Sequence, residues 1–159
     1  MKNTPQRLLP HPALTPDEEA AAAAYVLEEQ VGFRLRKVSQ RATEIFQAVM
    51  GEFDLTPMQF AVLAKLDDLG PVSQNLLGRH AAMDPATIFG VVGRLMKRGL
   101  VRQLADAGDA RLRLVELTDD GSTLVRRMKA VGADVSRRTL EPLTLAEQRT
   151  LLALLTRLE

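Results

Sequence analysis

Apolar positions along the chain follow two grammars. Between 17 and 51, Val31, Leu35, Val38, Ala42, Ile45 and Val49 recur at spacings of 4, 3, 4, 3 and 4. That is a heptad seam on one long predicted helix. Leu124, Met128, Val131 and Val135 form a second seam in a helix opening near Thr118, and Leu151, Leu152, Leu155 and Leu158 mark a last helix. The middle of the chain is built from shorter pieces. Phe60, Val62, Leu63 and Leu66 give a helix over about 57–69, Leu76, Leu77 and Ala81 one over 73–82, and Ile88, Val91, Val92 and Leu95 one over 84–98. Two β-prone runs follow, residues 100–104 and 112–117, separated by the Asp- and Gly-bearing stretch 105–111, which reads as a hairpin loop.

Helix starts are marked by local chemistry. Thr15-Pro16-Asp17-Glu18, Thr56-Pro57-Met58-Gln59 and Thr144-Leu145-Ala146-Glu147 each place a Thr three residues before a Glu or Gln. The hydroxyl can satisfy an orphan backbone N–H while the longer side chain reaches back. Ser73 and Asp84 read as further caps, and Thr118 opens a helix with early carboxylates. Helix, turn, helix and a hairpin with a basic tip is the order of a winged helix-turn-helix. The fold expected is mainly α, a winged helix-turn-helix lobe with a two-stranded β wing joined to an all-helical dimerisation region from both ends of the chain. The boundaries expected are a tail over 1–14, a first dimerisation helix over 15–53, the lobe over 54–117, and C-terminal dimerisation helices over 118–159. A twofold homodimer is the expected assembly, through Val31, Leu35, Val38, Leu151, Leu155 and Leu158.

Charge localises the chemistry. The net charge is +1 over 159 residues. Residues 1–30 hold two basic and five acidic groups, whereas residues 70–115 hold seven basic and three acidic ones. A basic segment in a neutral chain points to a localised anionic partner. The absence of cysteine excludes disulfides, thiolate metal sites and thiol chemistry. With only His11 and His80 available, neither a metal nor a cofactor is expected. The N-terminal stretch lacks the apolar run of a signal peptide or membrane span, so a cytoplasmic protein is expected. An enzyme finds no support: no Gly-rich phosphate loop is present, and neither histidine has a Ser or Asp at motif spacing.

The second helix of such a lobe lies in the DNA major groove. Ala86, Thr87, Phe89 and Gly90 sit near its predicted start and Arg94 farther along, with Ser73 and Gln74 at the start of the supporting helix. Thr87 can bond a base edge or phosphate, and a methyl group can touch thymine. Gly90 and Gly93 each cost about 1 kcal/mol inside a helix. Close approach of DNA or tight packing on a neighbouring helix would each explain them. Arg111 and Arg113 on the wing suit a narrow minor groove, and Asp109 fits a brace to Arg94. Phe33, Arg36 and Gln40 share a helix face suited to an aromatic carboxylate, with His80 as a further pocket candidate. The other class considered is a winged-helix module that binds protein instead of DNA.

These pieces resemble the MarR family of bacterial transcription regulators. The resemblance rests on Leu55-Thr56-Pro57-Met58-Gln59-Phe60, Asp84-Pro85-Ala86-Thr87, Arg94-Leu95-Met96-Lys97-Arg98-Gly99-Leu100-Val101-Arg102, Asp109-Ala110-Arg111 and Leu117-Thr118-Asp119-Asp120-Gly121. Ala110 departs from it, standing where many members carry a second wing Arg. The resemblance implies a triangular homodimer on a roughly palindromic operator, usually a repressor. It also implies release by a small anion, commonly an aromatic carboxylate or its CoA thioester, bound between dimer stalk and lobe. Some members that regulate aromatic catabolism carry an Arg matching Arg36.

Overall fold

The computed structural model describes residues 13–105, 108 and 113–159. It forms two compact units, Met1–Val38 and Ser39–Glu159. In the first, α1 (Pro16–Ala24) opens with the expected Thr15–Glu18 capping box and buries no residue. A single helix over 17–51 is expected from the seam, but the helix stops at Tyr25. Tyr25, Val26 and Gln30 are extended around a 3₁₀ turn, Leu27–Glu29. Helix propensity falls where the Ala run meets Tyr25 and β-branched Val26. The Gln30 side-chain amide donates to the Val26 carbonyl at 2.9 Å, serving an acceptor that a continuing helix would have used. A second helix, α2 (Val31–Met50), then begins.

The second unit is organised around one apolar core. Phe46 and Met50 of α2 and Phe53 of a following 3₁₀ turn enter it. So do α3 (Pro57–Leu69) through Val62, Leu63 and Leu66, α4 (Gln74–His80) through Leu77, and α5 (Pro85–Lys97) through Ile88, Val91, Val92 and Leu95. The hairpin strands β2 (Val101–Ala105) and β3 (Arg113–Leu117) pair antiparallel, Val101 opposite Leu117 and Ala105 opposite Arg113. A further strand, β1 (Val72–Ser73), numbered first in chain order, joins the other edge of β3, giving the order β1-β3-β2. Two residues are too few to show alternation, so periodicity misses this strand.

The chain closes with α6 (Asp119–Leu140) and α7 (Leu145–Thr156), capped by Thr118 and Thr144 as expected. The α6 seam packs mostly inside its own lobe: Met128 and neighbouring Val125 are fully buried, and Leu124 and Val135 lie against the same core. Lys129 reaches from α6 to both Asp67 and Asp68 at the end of α3, at 2.7 Å each. Among the described residues no helix is long and apolar enough to cross a membrane.

Candidate nucleic-acid interface

The helix-turn-helix is set by its boundaries. Ser73 caps α4 by accepting from the Leu76 N–H, with Gln74 as the first helical residue. The helix ends with Ala82 left-handed at φ 52°, the Ala82 N–H donating to Arg79 O and the Met83 N–H to Gly78 O. This is the Schellman arrangement, here with Ala where Gly is usual. Asp84 then caps α5: its carboxylate accepts from both the backbone N–H and the hydroxyl of Thr87, at 2.9 and 2.5 Å. Those bonds, the hydroxyl's first, hold the Asp84 carboxyl below its ordinary range. The Thr87 hydroxyl proton is therefore committed to the cap, and what remains for a ligand is its lone pairs.

One face of α5 is core and the opposite face is open. Ala86, Gly90, Gly93 and Lys97 recur at spacings of 4, 3 and 4 on the side away from Ile88, Val91, Val92 and Leu95, flanked by Phe89, which is 71% exposed, and by exposed Arg94. A Cβ on Gly93 would meet nothing within 4 Å, and one on Gly90 only Arg94 Nη1 at 3.4 Å. Packing on a neighbouring helix therefore does not explain these two glycines. The glycine at the helix crossing is Gly78, where a Cβ would lie 3.1 Å from Ile88 Cγ2 and 3.2 Å from Met83 O. Lys97 completes the open stripe, a position legible from its spacing to Ala86, Gly90 and Gly93.

The cations nearby are not equivalent. Arg102 is paired across the hairpin to Glu116 at 2.6 Å, and Arg98 with Asp54 at 3.4 Å. Arg79, Arg94, Lys97 and Arg113 are exposed. Asp109 and Arg111 lie outside the described residues, so the expected Asp109–Arg94 brace does too.

Residues 53–112 match the MarR family profile. The chain is 42% identical to the transcriptional repressor NicR of Pseudomonas putida over 131 residues, 82% of this chain and 83% of that one. The chain belongs to the MarR family. Its fold aligns at a TM-score of 0.79 with BpsR of Bordetella bronchiseptica, whose DNA binding is regulated by 6-hydroxynicotinic acid; identity is 37%, covering 84% of this chain and 96% of that one. It aligns at 0.75 with a mutant of Escherichia coli MarR complexed with operator DNA, at 26% identity over 80% of this chain and 92% of that one. This MarR-family protein is thus a transcription regulator of winged helix-turn-helix type and not an enzyme.

The MarR-like motifs prove to be helix-boundary chemistry. Thr56 and Gln59 close a capping box with Leu55 buried beside it. Gly99, at φ 70°, ends α5, and the Leu100 N–H donates back to Leu95 O. Thr118 locks that end to α6: its hydroxyl donates to Gly99 O at 2.7 Å and its N–H to Leu100 O at 3.1 Å. Gly121 is obligatory there, since a Cβ would sit 2.0 Å from Leu100 O.

Of the effector candidates, Phe33 and Arg36 lie on the α2 segment of the first unit, Phe33 half-buried and Arg36 exposed. Phe33 lines a cleft of about 450 Å³ with Glu28, Arg34, Lys37 and Val38, so the cleft joins it to Arg34 and Lys37 instead of Arg36. Lys37 Nζ lies 5.9 Å from the Phe33 ring centroid. In the second unit, Gln40 is exposed on α2 and His80 is exposed at the end of α4. Val31, Leu35 and Val38 are 67, 46 and 55% exposed. On α7, Leu151 and Leu155 are half-buried, and Leu158, expected on the same helix, lies in the turn beyond its end and is exposed.

Proposed function

We propose that this protein is a homodimeric, sequence-specific repressor that reads double-stranded DNA with the open face of α5 and leaves its operator when a small aromatic carboxylate, or its CoA thioester, binds. The observation that carries this is the stripe Ala86, Gly90, Gly93 and Lys97, which leaves the backbone of one helix face uncovered and flanked by Arg94. Two interior glycines lower helix stability for no packing gain, and close approach to a groove supplies the reason. Arg94, Lys97 and Arg79 supply phosphate contacts, with Arg111 and Arg113 on the wing. Ser73 and Gln74 contact the backbone from the start of α4, and Thr87 and Phe89 meet base edges. The operator is roughly palindromic because the dimer is twofold, joined through Val31, Leu35, Val38, Leu151, Leu155 and Leu158.

The relation to BpsR supports a hydroxylated pyridine or benzene carboxylate as effector. Arg36 would take the carboxylate and Phe33 the ring. Duplex binding followed over a salt series tests the DNA assignment: affinity is expected to fall steeply as salt rises. Arg111→Ala should weaken all duplexes alike, whereas Thr87→Val should change sequence preference. A thermal-shift screen of aromatic acids, 6-hydroxynicotinate included, and their CoA esters tests the effector. An Arg36→Ala variant that keeps the full ligand-induced shift would remove the assigned pocket.

A further inference from the structure

We infer that Arg98 is a positioning residue for DNA readout: it sets the tilt of α5 by tying the last turn of that helix to the main chain at Phe53 and Asp54. The inference rests on the DNA-reading role of α5 proposed above. Arg98 is the C-cap residue of α5. Its Nη1 donates to the Asp54 carbonyl and lies 3.4 Å from Asp54 Oδ2, while Nη2 donates to the Phe53 carbonyl at 3.4 Å. The planar guanidinium thus spans two successive carbonyls and a carboxylate, a geometry that the point charge of a lysine does not reproduce.

The anchor is firm. Phe53 and Leu55, on either side of Asp54, are both buried, and Asp54 itself is held left-handed at φ 52° with its N–H donating to Gly51 O. On its other side, the end of α5 is held by Thr118 through Gly99 and Leu100. The end of the reading helix is therefore clamped from two directions. Its start carries Ala86 and Thr87, about 18 Å from Arg98 at the helical rise of about 1.5 Å per residue. A tilt of about 5° at the clamp moves that start by about 1.5 Å, beyond the roughly 0.5 Å within which binding constellations are held.

This role differs from a phosphate contact in what it does to binding. A phosphate-neutralising arginine raises affinity for all duplexes and steepens the salt dependence by about one counterion. A positioning arginine alters only the margin between the right sequence and a wrong one. A duplex selected from a random library by the wild-type protein, and a scrambled version of it, separate the two by fluorescence anisotropy over a salt series. For Arg98→Gln, affinity for the selected duplex should fall about tenfold, with scrambled-duplex affinity within twofold of wild type and the salt slope unchanged. Arg98→Lys should recover part of the loss. Equal loss on both duplexes with a shallower slope, or no loss on either, overturns the inference. Should Arg98→Gln fail to fold, Arg98→Lys decides: it keeps the charge but loses the planar fork that spans the two carbonyls, so a smaller loss confined to the selected duplex is expected, and unchanged discrimination overturns the inference. Wild-type protein that selects no sequence at all instead defeats the underlying DNA reading.

Discussion

A methyl group at Gly93 should have opposite effects on stability and on DNA binding. The site is a helix interior with open space around the missing Cβ, so Gly93→Ala is expected to stabilise the fold by about 1 kcal/mol. The same methyl stands on the stripe assigned to the groove and should weaken duplex binding at least tenfold. Denaturant unfolding and anisotropy on one preparation check both signs. Gly121 gives the converse case: its Cβ would overlap the Leu100 carbonyl. Gly121→Ala should destabilise by about 1–3 kcal/mol or more, as overpacking does, readable as a lowered melting temperature. The glycines look alike in the sequence, and only the neighbours that the fold brings in distinguish them. Thr56, Thr118 and Thr144 were legible because a cap acts within three residues. The partners of Gly78 and Arg98 were not, because Ile88 is ten residues away from the first and Asp54 lies 44 residues from the second.

At the scale of elements, local signals placed α3 and α5 nearly to the residue, since each has a cap and a periodic face, and placed the start of α7, whose end at Thr156 falls short of the expected Leu158. The break after α1 and the strand β1 escaped, one because no Gly or Pro marks it, the other because it is too short for a period. The α6 seam was visible, but periodicity gives a face without naming what it packs on; here most of it meets the lobe's own core. The join between α6 and α3 also has a polar part. The hydrogen bond from Lys129 holds the Asp68 carboxyl below its ordinary 3.8. The bonds to Asp67 and Asp68 hold the Lys129 ammonium above its ordinary 10.5. A lowered carboxyl contributes stability above pH 3.8 that is lost as pH falls through the folded value, and a raised ammonium contributes below pH 10.5 and loses it as pH rises beyond. Lys129→Met should therefore lower the melting temperature more at pH 7 than at pH 3. A deficit that is the same at both values would show that the clasp acts through packing of the lysine stem.

For the whole molecule, the helices proposed to join two copies carry exposed apolar side chains. Val31, Leu35 and Val38 on α2, Leu152 on α7 and Leu158 beyond its end are exposed, and a monomeric protein seldom leaves an apolar run such as that on α2 uncovered. Leu35→Asp combined with Val38→Asp should convert a dimer to a monomer by light scattering at micromolar concentration. It should also cost affinity for a two-half-site duplex more than for a single half-site. The sequence already held this seam and the asymmetry of charge, and both survive as features of the surface. What it did not reveal is that two of the cations in residues 70–115 are engaged by Glu116 and Asp54, which narrows the groove-facing set.

The most direct test of the account is anisotropy of wild-type protein on duplexes it has itself selected and on their scrambled counterparts, from about 50 to 200 mM salt. A sequence-reading repressor should prefer the selected duplex a thousandfold or more, with affinity for both falling linearly in log–log form with salt. Equal binding to every duplex, or none even at the lowest salt, would contradict it.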